Sequence, residues 1–386
     1  MAKVFIEETT LTAIGDAIRV KEGTTELIPV PDMATRISAI ESGGGDITDE
    51  NLTFTGNCDH IFRNGNWNFI LDKYSNKIKI VDANSLGYTF SDTKKEDLSM
   101  LTVSTKSAAF NGTFNNSTTL KKLPKVAKGS TVQRYFSSIF NACNRLPSDE
   151  INTFLTSLEL PAATDTNTAC SAMFTSCWSA RDLTPAFEWL DAALNNYTGT
   201  STSYVAYNQM LYALYALDKV TNLPTIRVGG ARTSNAFSST FSNCFRLSEL
   251  MFKTDNGTPY SVNWKAQTID LSSWVGYTGN AYQVCDYNAG ITVDKEVNDD
   301  ISYQALKNDP DWFATNIAYC RYNHDSAVNT INSLPDTSAY LATAGGTNTI
   351  KFNGMSGEKT DGGAINTLTA EEIAVATAKG WTVTLV

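Results

Sequence analysis

An α+β repeat protein is the fold class this sequence predicts: a solenoid of short strands and turns behind a separate helical segment. Three observations carry the prediction. A unit of the form aromatic–x–x–Cys/Asn–x–x–Leu–x–x–Leu recurs along the middle of the chain. A Gly-rich stretch, "SGGGD", separates that region from two short amphipathic helices. Only 18% of the residues are charged, against a hydrophobic fraction of 42%. Ser, Thr, Asn and Gly fill the difference, and such side chains bond their own backbone in turns. A chain of 386 residues can bury a sizeable core and hold more than one module.

The first element expected is a helix over residues 7–20. Leu11, Ile14 and Ile18 fall at helical spacing, with Thr9 or Thr10 as the cap. Gly23, Pro29 and Pro31 then break the chain. A second short helix follows, with Met33, Ile37 and Ile40 on one face. Two helices this short bury little by themselves and need a partner. Residues 1–41 therefore read as a docking or oligomerisation segment and 42–46 as a flexible linker. A helical hairpin packed on its own chain is the other reading.

The repeats occupy residues 47–252. "AAFNGTFNNSTTLKKLP" carries Phe114, Asn116, Leu120 and Leu123. "RYFSSIFNACNRLP" carries Phe140, Cys143 and Leu146, and "TACSAMFTSCWSARDLTP" carries Phe174, Cys177 and Leu183. "YNQMLYALYALDKVTNLP" substitutes Leu211, Leu214 and Leu217, and "AFSSTFSNCFRLSEL" has Phe241, Cys244, Leu247 and Leu250. The anchors Phe114, Phe140, Phe174, Leu211 and Phe241 are 26, 34, 37 and 30 residues apart, and Phe90 and Phe62 extend the series backwards with weaker flanks. A period of this length signals stacked repeats. Each Cys is then one slot of a structural unit, where a small, weakly polar thiol fits a packed turn and Asn serves elsewhere.

These F-x-x-C-x-x-L-x-x-L units resemble the leucine-rich repeats of the BspA-like surface proteins. The resemblance covers residues 108–252 and reaches back over 54–107. It implies an irregular BspA-like leucine-rich-repeat solenoid, each repeat contributing a strand and a helical or turn segment. The uneven repeat length and degenerate fourth unit depart from that pattern and imply insertions bulging from one side.

Both ends carry a second resemblance. The segment with Leu11, Ile14, Ala17, Ile18, Pro31, Met33, Ala34, Ile37 and Ile40 is similar to the helical N-terminus of many tailed-bacteriophage structural proteins. "NTLTAEEIAVATAKGWTVTLV" resembles the closing segment of phage tail proteins. Physically it reads as a helix from Ala370 to Lys379, with Thr369 and Glu372 as a capping box and Gly380 as its stop. Trp381, Val383 and Leu385 then alternate as a strand. Residues 351–386 are thus expected to cap the repeats, and 253–350, rich in Asn, Gly and aromatics, to continue them with longer loops.

Chemistry is sparse. There are two histidines, and no H-E-x-x-H, G-x-S-x-G or phosphate-cradling loop. His324 beside Asp325 reads as a solvent-exposed His, and Ser356–Lys359 matches S-x-x-K only formally. Asp294–Asp300 spaces oxygen donors like a calcium loop but lacks its Gly and closing Glu. The pairs Asp149–Glu150 and Glu371–Glu372 read as helix starts. The expectation is a protein without catalytic residues, metal or cofactor.

A formal charge of −10 with no basic block makes nucleic acid a poor partner, and no apolar run approaches a membrane span. Acidic residues near the N-terminus leave no core for a secretion signal, so the seven Cys are expected as reduced thiols. The densest group of aromatics among amides and hydroxyls is Trp264, Trp274, Tyr277 and Tyr282, the candidates for stacking on a host glycan. The resemblances imply a structural protein of a phage virion assembled in the host cytoplasm. It would be a tail-fibre or tail-tip component that recognises the host surface, oligomeric, and docked to other virion proteins through the N-terminal helices. A capsid-attached fibre or decoration protein, a BspA-like bacterial adhesin and a polysaccharide depolymerase are the alternatives.

Overall fold

The computed structural model describes residues 52–65, 71, 76–162 and 170–195, most of 207–224, 236–253 and 264–271, and then 324–352 and 368–385. The chain divides into two compact units, Met1–Thr53 and Phe54–Val386. The proposed docking residues Leu11, Ile14, Ile18, Met33, Ile37 and Ile40 lie outside the described residues, as does the Gly-rich linker.

Mixed helices and parallel sheets make up the second unit. Strands β1 (Thr53–Asn57), β2 (Lys79–Ser85), β3 (Thr102–Ala109) and β4 (Lys125–Val126) form one sheet in that order. Strands β5 (Lys219–Leu223) and β6 (Glu249–Phe252) pair in a second. Strands β7 (Thr268–Asp270), β8 (Asn348–Phe352) and β9 (Trp381–Leu385) form a third. The recorded registers are parallel: Lys79 faces Thr102 and Thr102 faces Lys125, Val220 faces Leu250, and Ile350 lies between Ile269 and Val383. A parallel pair needs a crossover, and between β2 and β3 tight turns supply it rather than a helix.

Those turns stack. Phe62 N–H donates to Thr89 O, Phe90 to Thr113, Phe114 to Ile139, Phe140 to Met173 and Phe174 to Met210, all at 2.8–3.1 Å. The rings follow the same order. Phe62–Phe90, Phe90–Phe114, Phe114–Phe140 and Phe140–Phe174 have centroids 5.5, 5.6, 5.8 and 6.0 Å apart, with planes within 9° of parallel. Four residues before each anchor runs a second buried column: Cys58, Leu86, Phe110, Phe136, Cys170, Tyr207 and Phe237. Each buried large side chain contributes about 1.5–3 kcal/mol, so the two columns form the principal apolar core of this region.

Two helices cover these columns. In α1 (Ser148–Thr156), Ile151, Phe154 and Leu155 are buried at helical spacing, and Asp149 and Glu150 meet the positive end of the helix dipole. Phe154 places its edge against Phe110, Phe114 and Phe140. In α2 (Thr184–Asn195), Pro185 sits in the first turn, where its missing N–H costs nothing. Phe187 and Trp189 of α2 pack edge-on against Phe174 and Phe136. Arg134, 1% exposed, donates from Nε to Ala193 O near the end of α2 and from Nη1 to Ala162 O.

The C-terminal sheet is held by three further helices. Helix α3 (His324–Ser333) docks on β6: Thr330 Oγ1 donates to Leu250 O and Phe252 N–H to Ser333 Oγ. Helix α4 (Ser338–Ala344) leads into β8. Helix α5 (Ala370–Ala378) starts at Thr369 with both halves of a capping box formed with Glu372. Gly380, at φ 84°, ends it; a Cβ there would lie 2.8 Å from both Leu341 Cδ1 and Thr337 Oγ1. The helices α3 and α4 inside residues 253–350 were not expected from the sequence. Among the described residues, no helix is long and apolar enough to cross a membrane.

Candidate functional surface

Each stacked segment turns twice in the same way. The carbonyl four residues before the anchor accepts from the N–H one residue before it, as in Thr89 to Leu86, Thr113 to Phe110 and Met173 to Cys170. The anchor carbonyl accepts from the N–H three residues on, as in Ser117 to Phe114, Cys143 to Phe140 and Cys177 to Phe174. Both turns place their third residue at positive φ. His60 and Asn64, Tyr88 and Asp92, Gly112 and Asn116, Ser138 and Ala142, Ala172 and Ser176, and Gln209 and Ala213 all lie between 53° and 62°. This conformation costs an L-residue about 1–2 kcal/mol, and the ladder of backbone bonds between segments holds it.

The cysteine slot is a hydrogen-bonding position. Cys143 Sγ donates to Phe114 O at 3.1 Å, Cys177 Sγ to Phe140 O at 3.1 Å and Cys244 Sγ to Leu211 O at 2.9 Å. Ser117 Oγ makes the same bond to Phe90 O at 2.8 Å. This corrects one assignment. In the Phe114 segment the slot belongs to Ser117, not Asn116, which is exposed at φ 58° with its amide on Asp92. A second set of donors went unnoticed in the sequence: Thr89, Thr113 and Thr240 give their hydroxyls to Cys58 O, Leu86 O and Tyr207 O. A hydroxyl or thiol one residue before or three after an anchor is the signal that finds them at Phe90, Phe114, Phe140, Phe174 and Phe241.

Burial pushes the thiols of Cys170 and Cys244 up to about 12, and raises Cys143 and Cys177 for the same reason. The thiolate is the nucleophile, and burial disfavours it at all four positions. Burial and then Asp59 raise Cys58 too.

On the outer side, His60 stacks on Tyr88 with centroids 5.4 Å apart and planes 2° from parallel. Tyr88 in turn lies over Gly112, where any Cβ would meet its ring. The Arg63 guanidinium sits 5.6 Å from the same ring centroid, and its Nε is 3.8 Å from Asp92 Oδ2. With His60 and Gly112 packed against it, Tyr88 serves as a joint between segments, not as an open platform.

Trp264 requires a correction as well. It is 1% exposed and packs against Phe237 and Trp381, so its ring has no face for an external sugar. A large ring at the junction of two sheets fills volume that smaller side chains would leave empty. Its proposed companions Trp274, Tyr277 and Tyr282 lie outside the described residues, as do Asp294–Asp300 and Ser356–Lys359.

His324 is better connected than a bare surface His. Its Nδ1 is 3.1 Å from Asp325 Oδ1, and its Nε2 is 3.1 and 3.2 Å from the two carboxylate oxygens of Glu372. Hydrogen bonding to Asp325 and then Glu372 raises its pKa above the usual histidine value. Glu372 also accepts the Thr369 N–H at 2.7 Å, the leading cause of its lowered pKa. At the other end of α3, Lys379 Nζ donates to Asn332 O at 2.6 Å and Ile331 O at 3.3 Å. Helix α5 and its C-cap Lys379 therefore hold α3 at both termini. These contacts fasten α3 to α5 within the C-terminal unit.

Comparison with known protein families, with curated proteins and with solved structures finds no match to this chain.

Proposed function

We propose that this chain is a non-enzymatic structural protein of a tailed-bacteriophage particle, a tail-fibre or tail-tip component that contacts the host surface. In this reading the stacked segments are repeats of an irregular BspA-like leucine-rich-repeat solenoid. The N-terminal segment docks the chain, as an oligomer, to other virion proteins.

The observation that carries the reading is the use made of the residues best suited to chemistry. The cysteines of the repeats serve as inward hydrogen-bond donors. The anchor phenylalanines form a buried column, and Tyr88 joins one segment to the next. Such a frame repeats a scaffold and leaves its outer side for contacts. The C-terminal segment that resembles phage tail proteins folds as a capped helix followed by a strand, adding one more parallel strand to a sheet, as an end unit of a repeat array would.

A mass-spectrometric inventory of purified phage particles from the source culture tests this. The chain is expected among the virion proteins. Its absence from particles and presence on bacterial cells would replace the proposal with a surface adhesin.

A further inference from the structure

The lysines of the first sheet lie far apart in sequence, and the parallel pairing brings them together. Lys79 on β2 faces Thr102 on β3, which faces Lys125 on β4. All three are exposed, while Ile80 and Val103 in the next row point into the core. Adjacent strands are about 4.8 Å apart, so Lys79 and Lys125 stand about 10 Å apart across the row. Along β3 the side chains alternate, which puts Lys106 on the same outward face as Thr102 and Ser104. Lys128 is exposed on the turn after β4.

Some other lysines of these segments are paired. Lys121 pairs with Glu96 at 3.1 Å, Lys122 with Glu150 at 2.7 Å and Lys219 with Asp182 at 3.6 Å. Among the described residues, Lys106, Lys125 and Lys128 have no ion pair, in a chain whose formal charge is −10. Among the described residues, Asp82, which accepts from Ser104 Oγ at 3.3 Å, and Glu159, whose N–H donates to Ser130 O, border this face.

We propose that this outward sheet face, with Lys79, Lys106, Lys125 and Lys128 around the hydroxyls of Thr102 and Ser104, binds an anionic surface polymer carrying phosphodiester groups. Ammonium groups at this spacing meet successive charges along an extended chain, and the Thr102 hydroxyl between them can donate to a phosphate oxygen, the Ser104 hydroxyl being given to Asp82. Among the described residues the face offers no aromatic ring on which bases would stack, so a polyol or sugar phosphate fits it better than a nucleic acid. The inference rests on the host-contact reading and specifies the chemistry of the contact.

The test uses the full chain and synthetic poly(glycerol phosphate), with neutral dextran and a single-stranded oligodeoxynucleotide for comparison, titrated over a range of salt. Binding to poly(glycerol phosphate) is expected at low salt and should weaken as salt rises. The triple variant K106Q/K125Q/K128Q should lose at least about tenfold in affinity, and each removed lysine should flatten the log–log salt slope by about 0.7. Lys94→Gln, exposed but on the segment between the Phe90 turn and β3, should bind like the wild type. All four positions are exposed, and matching thermal melts would establish that the variants fold. No binding by the wild type at low salt, or wild-type binding by the triple variant, overturns the proposal; so does tighter binding to the oligodeoxynucleotide. If the lysine dependence holds while the chain is absent from phage particles, the surface stands and the virion reading falls. If the chain is found in particles but does not bind, the reverse follows.

Discussion

Phe114→Ala removes the middle ring of the anchor column. The side chain is 1% exposed and lies between Phe90 at 5.6 Å and Phe140 at 5.8 Å, with the edge of Phe154 at 5.4 Å. Three aromatic contacts at about 0.5–1.5 kcal/mol each are lost, along with most of the apolar burial of the ring. Buried Phe→Ala changes cost about 3–5 kcal/mol, and the upper half applies here because three neighbouring rings are rigidly placed and close over the cavity poorly. Phe114→Leu keeps much of the volume and should cost about half as much. Chemical denaturation gives the total, and amide exchange gives the location. Exchange should accelerate first at Phe114 and Phe90, whose N–H groups bond to Ile139 O and Thr113 O. A loss under about 1 kcal/mol for Phe114→Ala, or unchanged exchange at those two amides, would refute the claim that this column holds the segments together.

Four further outcomes follow from the same geometry. Cys244→Ser preserves a donor to Leu211 O and should cost under about 1 kcal/mol, whereas Cys244→Val leaves that carbonyl unpaired and should cost about 1–3 kcal/mol in denaturant melts. Peptide mapping after alkylation at neutral pH should leave Cys143, Cys170, Cys177 and Cys244 unlabelled until the protein is unfolded. Ala142→Gly, at φ 58°, should stabilise by about 0.5–1 kcal/mol, while Gly112→Ala should destabilise because its Cβ meets the Tyr88 ring. The pKa of His324 is raised on folding, so its contribution is fully present below the unfolded value of 6.5 and is lost as pH rises through the folded value. Exchange protection of α5 should therefore fall between mildly acidic and mildly alkaline pH, and His324→Gln should flatten that dependence.

Much of the local structure could be read from linear patterns, because apolar periodicity and turn chemistry act over a few residues. The anchors Phe62, Phe90, Phe114, Phe140 and Phe174 stand out in the sequence, and their rings stack in that order. The Thr369–Glu372 capping box and the Gly380 stop are equally local. The error at Asn116 had a physical origin. Size and weak polarity admit Asn to the slot, whereas its role is to donate to the carbonyl of the previous segment, which Ser117 does and an exposed Asn at positive φ does not. Trp264 misled because composition does not distinguish a ring under a sheet junction from one above it. The lysine face is hidden in the sequence for the opposite reason: Lys79 and Lys125 come to flank Thr102 only when β2, β3 and β4 pair in register.

The N-terminal part of the account is tested by a chain lacking residues 1–45, which should be monomeric where the full chain is oligomeric; identical behaviour would remove the docking role. Immunogold labelling of this chain on purified particles bears on the virion reading itself, and gold is expected at the distal tail. Gold confined to the capsid would make the protein a head fibre or decoration, and particles without gold would contradict the virion reading altogether.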